Sequence, residues 1–244
     1  MAEQVLIVLH QEHSTPGRVG RLLRERGFHL DIRRPALGDH LPDTLADHTG
    51  AVIFGGPMSV NDDLPYIRTE IDWIDVPLRE EKPFLGICLG AQMLARNLGG
   101  AVRRHPQGLV EVGYYPIKPT EAGRDLMQWP EHVYQWHNEG FEVDRCGTLL
   151  AEGRDFPNQA FVYGNNAFGI QFHPEVTLAM QHRWTVKGCA RCELPGARPP
   201  HEHIEGRTLY DAAVCNWLEN FIDLWLETGK QKGQSHPESL LAAE

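Results

Sequence analysis

No apolar run in this 244-residue chain approaches the roughly 20 residues that a membrane-crossing helix needs. Basic residues are also in short supply: 23 Lys and Arg stand against 33 Asp and Glu, for a formal net charge of -10. That balance argues against nucleic-acid binding, which depends on basic patches, and reads as solubility. Cysteine is sparse, with five in the chain, an odd number. The opening "MAEQVLIVLH" has no basic n-region and no small-residue cleavage site, so it reads as a first strand and not as a leader. The expectation is a cytoplasmic protein without a disulfide framework, in which at least one thiol serves chemistry. Internal repeats and low-complexity linkers before residue 228 are lacking too, and the length suits one α/β domain with a modest insertion.

What is present is an alternation of strands and helices. "VLIVL" at residues 5–9 is a continuous β-branched and leucine run, as in a strand buried on both faces of a parallel sheet. "STPGRVGRLLRERG" follows as a helix, with Thr15 as its cap, Pro16 in its first turn and Gly27 just past its end. "FHLDIRR", "AVIF" and "KPFLGIC" read as further strands, with a helix over "PYIRTEIDWIDVPL". This order predicts βαβ units and a doubly wound, mostly parallel sheet flanked by helices. Between residues 101 and 172 the runs become short and β-prone, separated by turn signals, which predicts a small antiparallel extension on the same sheet. Helices return over 177–186 and 209–227. The domain is expected to span 1–228, with 229–244 as a polar tail.

The chemistry begins in "KPFLGICLGAQMLARNLGG". Gly86-Ile87-Cys88-Leu89-Gly90 places a thiol at a strand-to-helix corner, with a glycine two residues to either side. This is the geometry of a nucleophile elbow. It lifts the side chain to the carboxyl end of the sheet and sets the sulfur at a helix N-terminus, which favours the thiolate. A cysteine packed into a tight turn is the plainer alternative. A thiol nucleophile needs a base, and the base an orienter. In "FGIQFHPEVT", alternation puts His173 at the end of a strand, Pro174 ends the ladder, and Glu175 lies within reach of the second ring nitrogen. Attack on an amide also needs donors for the oxyanion. The N–H of Leu89 supplies one, and the glycine turn in "FGGPMS", residues 54–59, suits the other.

Together, "GGPMSVNDDLPY", "FLGICLGAQMLA" and "GIQFHPEV" resemble the class I glutamine amidotransferases, most nearly stand-alone domains similar to the amidotransferase part of GMP synthase. The likeness covers most of residues 5–186. It implies a flavodoxin-like sheet, Cys88 as nucleophile, His173 as base and acid, and Glu175 as orienter. It implies the backbone of Gly56 and Leu89 as the oxyanion hole and Gln92 as a substrate contact. "WHNEGF" resembles the family loop that lines the same pocket, although its wording departs from the commoner Ser-His-Gly-Asp form. Through it, His137 and Asn138 are implied as substrate contacts. The implied reaction splits the side-chain amide of glutamine through a γ-glutamyl thioester, with no cofactor. The freed ammonia would pass to a synthetase or ligase on another chain, since no phosphate loop follows the His-Pro-Glu segment. Two alternatives stand beside it: a hydrolase of γ-glutamyl small molecules, and a binding or regulatory relative without catalysis.

Other segments carry less. Cys189-x-x-Cys192 followed by His201-x-His203 could hold zinc, but that His spacing is not a finger pattern, and no metal is expected. Asp62 and Asp63 read as turn and cap residues, and Cys146 and Cys215 as packing or surface residues. Trp217 and Trp225 read as a stripe that packs in the core or against a second copy in a homodimer.

Overall fold

The computed structural model describes residues 3–143 and 147–230. Along the chain run β1 Gln4–Val8, α1 Gly17–Glu25, β2 His29–Arg33, β3 His48–Ile53, α2 Pro65–Trp73, α3 Asp75–Arg79, β4 Phe84–Ile87, α4 Leu89–Asn97 and β5 Val102–Arg104. Then come β6 Glu111–Pro116, β7 Lys118–Pro119, α5 Glu121–Leu126, β8 His132–His137, β9 Glu139–Phe141, β10 Thr148–Glu152, β11 Asn158–Tyr163, β12 Ala167–Ile170, α6 Leu178–Lys187 and α7 Pro200–Thr228.

Among the described residues the main sheet has eight strands in the order β2-β1-β3-β4-β12-β11-β10-β7. Pairing is parallel from β2 to β12 and antiparallel beyond. The parallel part has the flavodoxin-like order. β1 shows why its run is apolar throughout. Val5, Ile7 and Leu9 join the core on one face, Leu6 and Val8 the core on the other, and none is more than 1% exposed. A period of two with both faces covered leaves no place for a polar residue. The antiparallel expectation is met in part on this sheet, through β11, β10 and β7. The rest forms two separate ribbons, β5 with β9 and β6 with β8.

Several boundaries differ from the sequence reading. Thr15 does not cap α1: the cap position is Pro16 with no side-chain bond, and the Thr15 hydroxyl turns to Met180 Sδ. β12 ends at Ile170, so His173 lies three residues past the strand, between a bend at 171–172 and a turn at 174–175. α7 starts at Pro200, nine residues before its apolar spacing begins, because proline fits a helix's first turn. His201 and His203 therefore stand on a helix. His203 is fully buried, its ring nitrogens paired with the Tyr134 hydroxyl and the Arg198 carbonyl. Trp217 and Trp225 are core residues of α7. Cys146 and the tail from 231 onward lie outside the described residues. No described helix is long and apolar enough to cross a membrane.

Candidate active site

The parallel strands all end on one side, and the chain places its chemistry there. β4 runs into α4 through Cys88, the helix cap residue, at φ 52 and ψ -104. A positive φ is strained for a residue with a Cβ, and such strain persists only where the surroundings enforce it. The flanking glycines are part of that enforcement. A Cβ on Gly86 would lie 2.4 Å from the Gly90 carbonyl oxygen, and one on Gly90 would lie 2.1 Å from that of Ile53. The Cys88 N–H is fixed to the Ile170 carbonyl at 2.8 Å, which ties the elbow to β12.

His173 follows β12 and is held by its own N–H on the Tyr134 carbonyl, 2.8 Å away. Its Nδ1 meets Glu175 Oε1 at 2.8 Å, both side chains almost fully buried. The Glu175 carbonyl accepts from the Arg18 N–H at 2.9 Å, so the start of α1 clamps the His-Pro-Glu bend. Nε2 of His173 has no hydrogen-bond partner of regular geometry. Gly55, two residues past β3, is the point where the His173 ring and the Cys88 side chain converge. A Cβ there would come within 2.9 Å of His173 Cε1 and 3.3 Å of Cys88 Cβ. Burial pulls the His173 pKa down, but the negative charge of Glu175 and that of Cys88 outweigh it and push it up to about 10. The surroundings therefore favour the imidazolium form of the ring.

The Gly55-Gly56 turn rests on a buried pair that sequence reading did not single out. His10, just past β1, bonds the Gly55 carbonyl through Nδ1 at 3.2 Å and Glu70 Oε2 through Nε2 at 2.8 Å. Both side chains are fully buried. The only sequence signal was a histidine at the carboxyl end of an apolar strand. Leu89 is the first residue of α4, so its N–H has no carbonyl four residues back within the helix.

A cavity of about 220 Å³ opens from Cys88, Gly56 and Leu89, lined also by Gln92, His137, Asn138 and Glu139. Gln92 gives its amide N–H groups to the Glu139 carbonyl and to Gln171 Oε1. His137 uses both ring nitrogens inside the protein, on the Glu139 carbonyl and on Glu111 Oε2, each at 3.0 Å. It forms wall and leaves no free ring nitrogen for a ligand. Two of the charges that face this space, Glu139 and Arg104, carry no local sequence signal. Glu139 is bonded by the Ser59 hydroxyl at 2.6 Å, and Arg104 Nε lies 3.7 Å from Glu139 Oε1. Asp62 lines the same cavity while its carboxylate accepts the Ser59 N–H, a turn role as expected. Among the described residues no group of three or more His, Cys, Asp or Glu is placed to hold a metal ion.

Fold and arrangement together are those of an α/β protein with a cysteine, a histidine and a carboxylate at the carboxyl end of its sheet. The family model of class I glutamine amidotransferases matches residues 12–189, and the chain belongs to that family of enzymes. It is 33% identical over 185 residues to a glutamine amidotransferase-like protein, YfeJ, of Salmonella typhimurium, covering 72% of this chain and 77% of that one. It is 32% identical over 182 residues to the glutamine-hydrolysing GMP synthase of Porphyromonas gingivalis, covering 70% of this chain but only 33% of the synthase. This chain thus matches about a third of that longer relative. Among solved structures, a glutamine amidotransferase of Thermotoga maritima superposes with a TM-score of 0.75 at 28% identity, over 96% of this chain and 100% of that one. One from Methylobacillus flagellatus, at 23% identity, shares the fold with a TM-score of 0.86 over the whole of both chains.

Proposed function

We propose that this enzyme hydrolyses the side-chain amide of glutamine through a thioester on Cys88 and yields ammonia for an acceptor reaction on another chain. The observation that carries the reading is the convergence of Cys88 and the Glu175-bound His173 on Gly55. The amino-acid end of glutamine occupies the 220 Å³ cavity, its ammonium toward Glu139 and its carboxylate toward Arg104. Asn138 and the wall formed by Gln92 and His137 shape that end. The Cys88 thiolate attacks the γ-carbonyl carbon, and the N–H groups of Gly56 and Leu89 receive the oxyanion. The His173 imidazolium gives its proton to the departing nitrogen as the carbon–nitrogen bond breaks. Neutral His173 then takes a proton from water, which attacks the thioester and releases glutamate.

A relative in Sulfurisphaera tokodaii, 33% identical over 138 residues, is by name a single subunit of a glutamine-hydrolysing GMP synthase. By analogy, a separate synthetase subunit is the proposed receiver of the ammonia here. The test is ammonia release from glutamine by wild type and Cys88→Ala. Cys88-dependent release supports the reading. Release that survives Cys88→Ala overturns it.

A further inference from the structure

A second cavity, of about 520 Å³, opens from Cys88 on the side of His173 and Glu175. Cys88, Gly56, Trp136 and Arg191 line both spaces, whereas His173 lines only this larger one. Its size is the first clue. Ammonia is about as large as water, and a water-sized molecule needs only about 10–15 Å³ of such space. Position is the second. His173 delivers the proton to the leaving nitrogen, so whatever that nitrogen carries extends toward His173 and into this cavity.

The walls tell what the cavity suits. α6 presents one face to it, with Met180, Arg183, Trp184 and Lys187 at the helical spacing of i, i+3, i+4 and i+7. Trp184 stands edge-on to His173, ring centroids 5.0 Å apart, and Trp136 continues the aromatic surface 5.8 Å further on. Arg183, Lys187 and Arg191 bring positive charge to a chain whose net charge is -10. Lys187 and Arg191 make no ion pair with a described residue, and Arg183 bonds only the exposed His13 carbonyl. The carboxylates in this cavity are Glu175, bound to His173, and Glu12 at the rim, 3.9 Å from His13, while Arg191 also shares the first cavity with Asp62 and Glu139.

We propose that this cavity binds the amine half of a γ-glutamyl amide, an amine with an aromatic or similarly large apolar body and a carboxylate, as in a γ-glutamyl dipeptide. This rests on the Cys88 thioester chemistry above and goes beyond its substrate: γ-glutamyl amides of larger amines are cleaved as well as glutamine, and the amine then takes the place of ammonia. Cys88 attacks the γ-carbonyl, the carbon–nitrogen bond breaks, His173 protonates the amine nitrogen, and water hydrolyses the thioester. The products are glutamate and a free amino acid.

The experiment compares kcat/KM for glutamine, γ-glutamylphenylalanine and γ-glutamylphenylalaninamide, in wild type, Cys88→Ala and the double variant Lys187→Gln/Arg191→Gln, at an exposed and a half-buried position. The expected order puts γ-glutamylphenylalanine about tenfold or more above glutamine and above its own amide, a charged contact's worth. The double variant is expected to bring the acid-to-amide ratio close to one. Cys88-dependent glutamine turnover with no advantage for γ-glutamylphenylalanine overturns this inference and leaves the amidase reading standing. So does an advantage whose acid-to-amide ratio ignores the double variant. If no compound is cleaved and Cys88 takes up no γ-glutamyl group from any of them, the amidase reading falls, and this inference with it.

Discussion

A buried imidazole ordinarily gives up its proton more easily than a solvated one, yet the charge of Glu175, with Cys88 close by, outweighs burial and pushes the His173 pKa up to about 10. Two outcomes follow at the residue scale. The folded pKa lies above the ordinary 6.5, so the stability this proton contributes is complete below pH 6.5. It is lost as pH rises toward 10, which urea melts across that range would record as a falling midpoint. In Glu175→Gln the opposing charge is gone, so the alkaline limb of kcat/KM should move to lower pH. Its maximum should also fall, by about 10- to 1000-fold, because the ring loses its orientation as well. An unshifted limb would mean that Glu175 does not govern the base. The residues of this cluster were legible in the sequence because Cys88, His173 and Glu175 each sit in a local pattern that states its own geometry. Glu139 and Arg104 were not: one lies on β9 and the other on β5, strands that meet only through long-range pairing.

At the scale of elements, the elbow and the glycine turn depend on backbones that approach too closely for any side chain. Gly90→Ala would drive a Cβ to 2.1 Å from the Ile53 carbonyl oxygen. We expect it to cost at least about 2–3 kcal/mol by denaturant melt. Gly27→Ala meets nothing within 4 Å and should cost only the left-handed backbone, about 1–2 kcal/mol, at its φ of +88. Equal losses would show that close packing at the elbow is not what selects glycine there. The Gly55-Gly56 turn hangs on His10, and His10 on Glu70. Glu70→Ala is therefore expected to lower kcat more than it raises KM, because the Gly56 N–H acts on the oxyanion, a charge that forms only on the way to the transition state. A rise in KM alone would contradict that. Strands such as β1 were readable because an apolar run buried on both faces has few alternatives. The start of α7 was not, because "PHEHIEGRT" is mostly polar and its partners are distant. Gly206 packs so tightly on the Tyr114 ring that a Cβ would come within 2.6 Å of it.

At the scale of the whole molecule, α7 closes one face of the sheet. Trp217 stacks on Phe221 at 4.8 Å, and Trp225 is fully buried against the same core. Trp225→Ala should destabilise the fold by about 3–5 kcal/mol, lowering the urea midpoint while the pH profile of the remaining activity stays the same. The doubly wound order sends β1, β3, β4 and β12 to one edge, which is why residues as distant in the chain as 10, 55, 88 and 173 meet. The class of sheet could be read from the strand-helix alternation. The two detached ribbons could not, since short β-prone runs do not state which partner they pair with. The proposed chemistry stands on the Cys88 sulfur as the acylated atom. Intact-mass measurement after exposure to a diazoketone analogue of glutamine, followed by peptide mapping, tests it most directly. One adduct on Cys88, blocked by excess glutamine and missing from Cys88→Ala, is the predicted result; an unmodified Cys88, or an adduct on another residue that abolishes glutamine turnover, would contradict it.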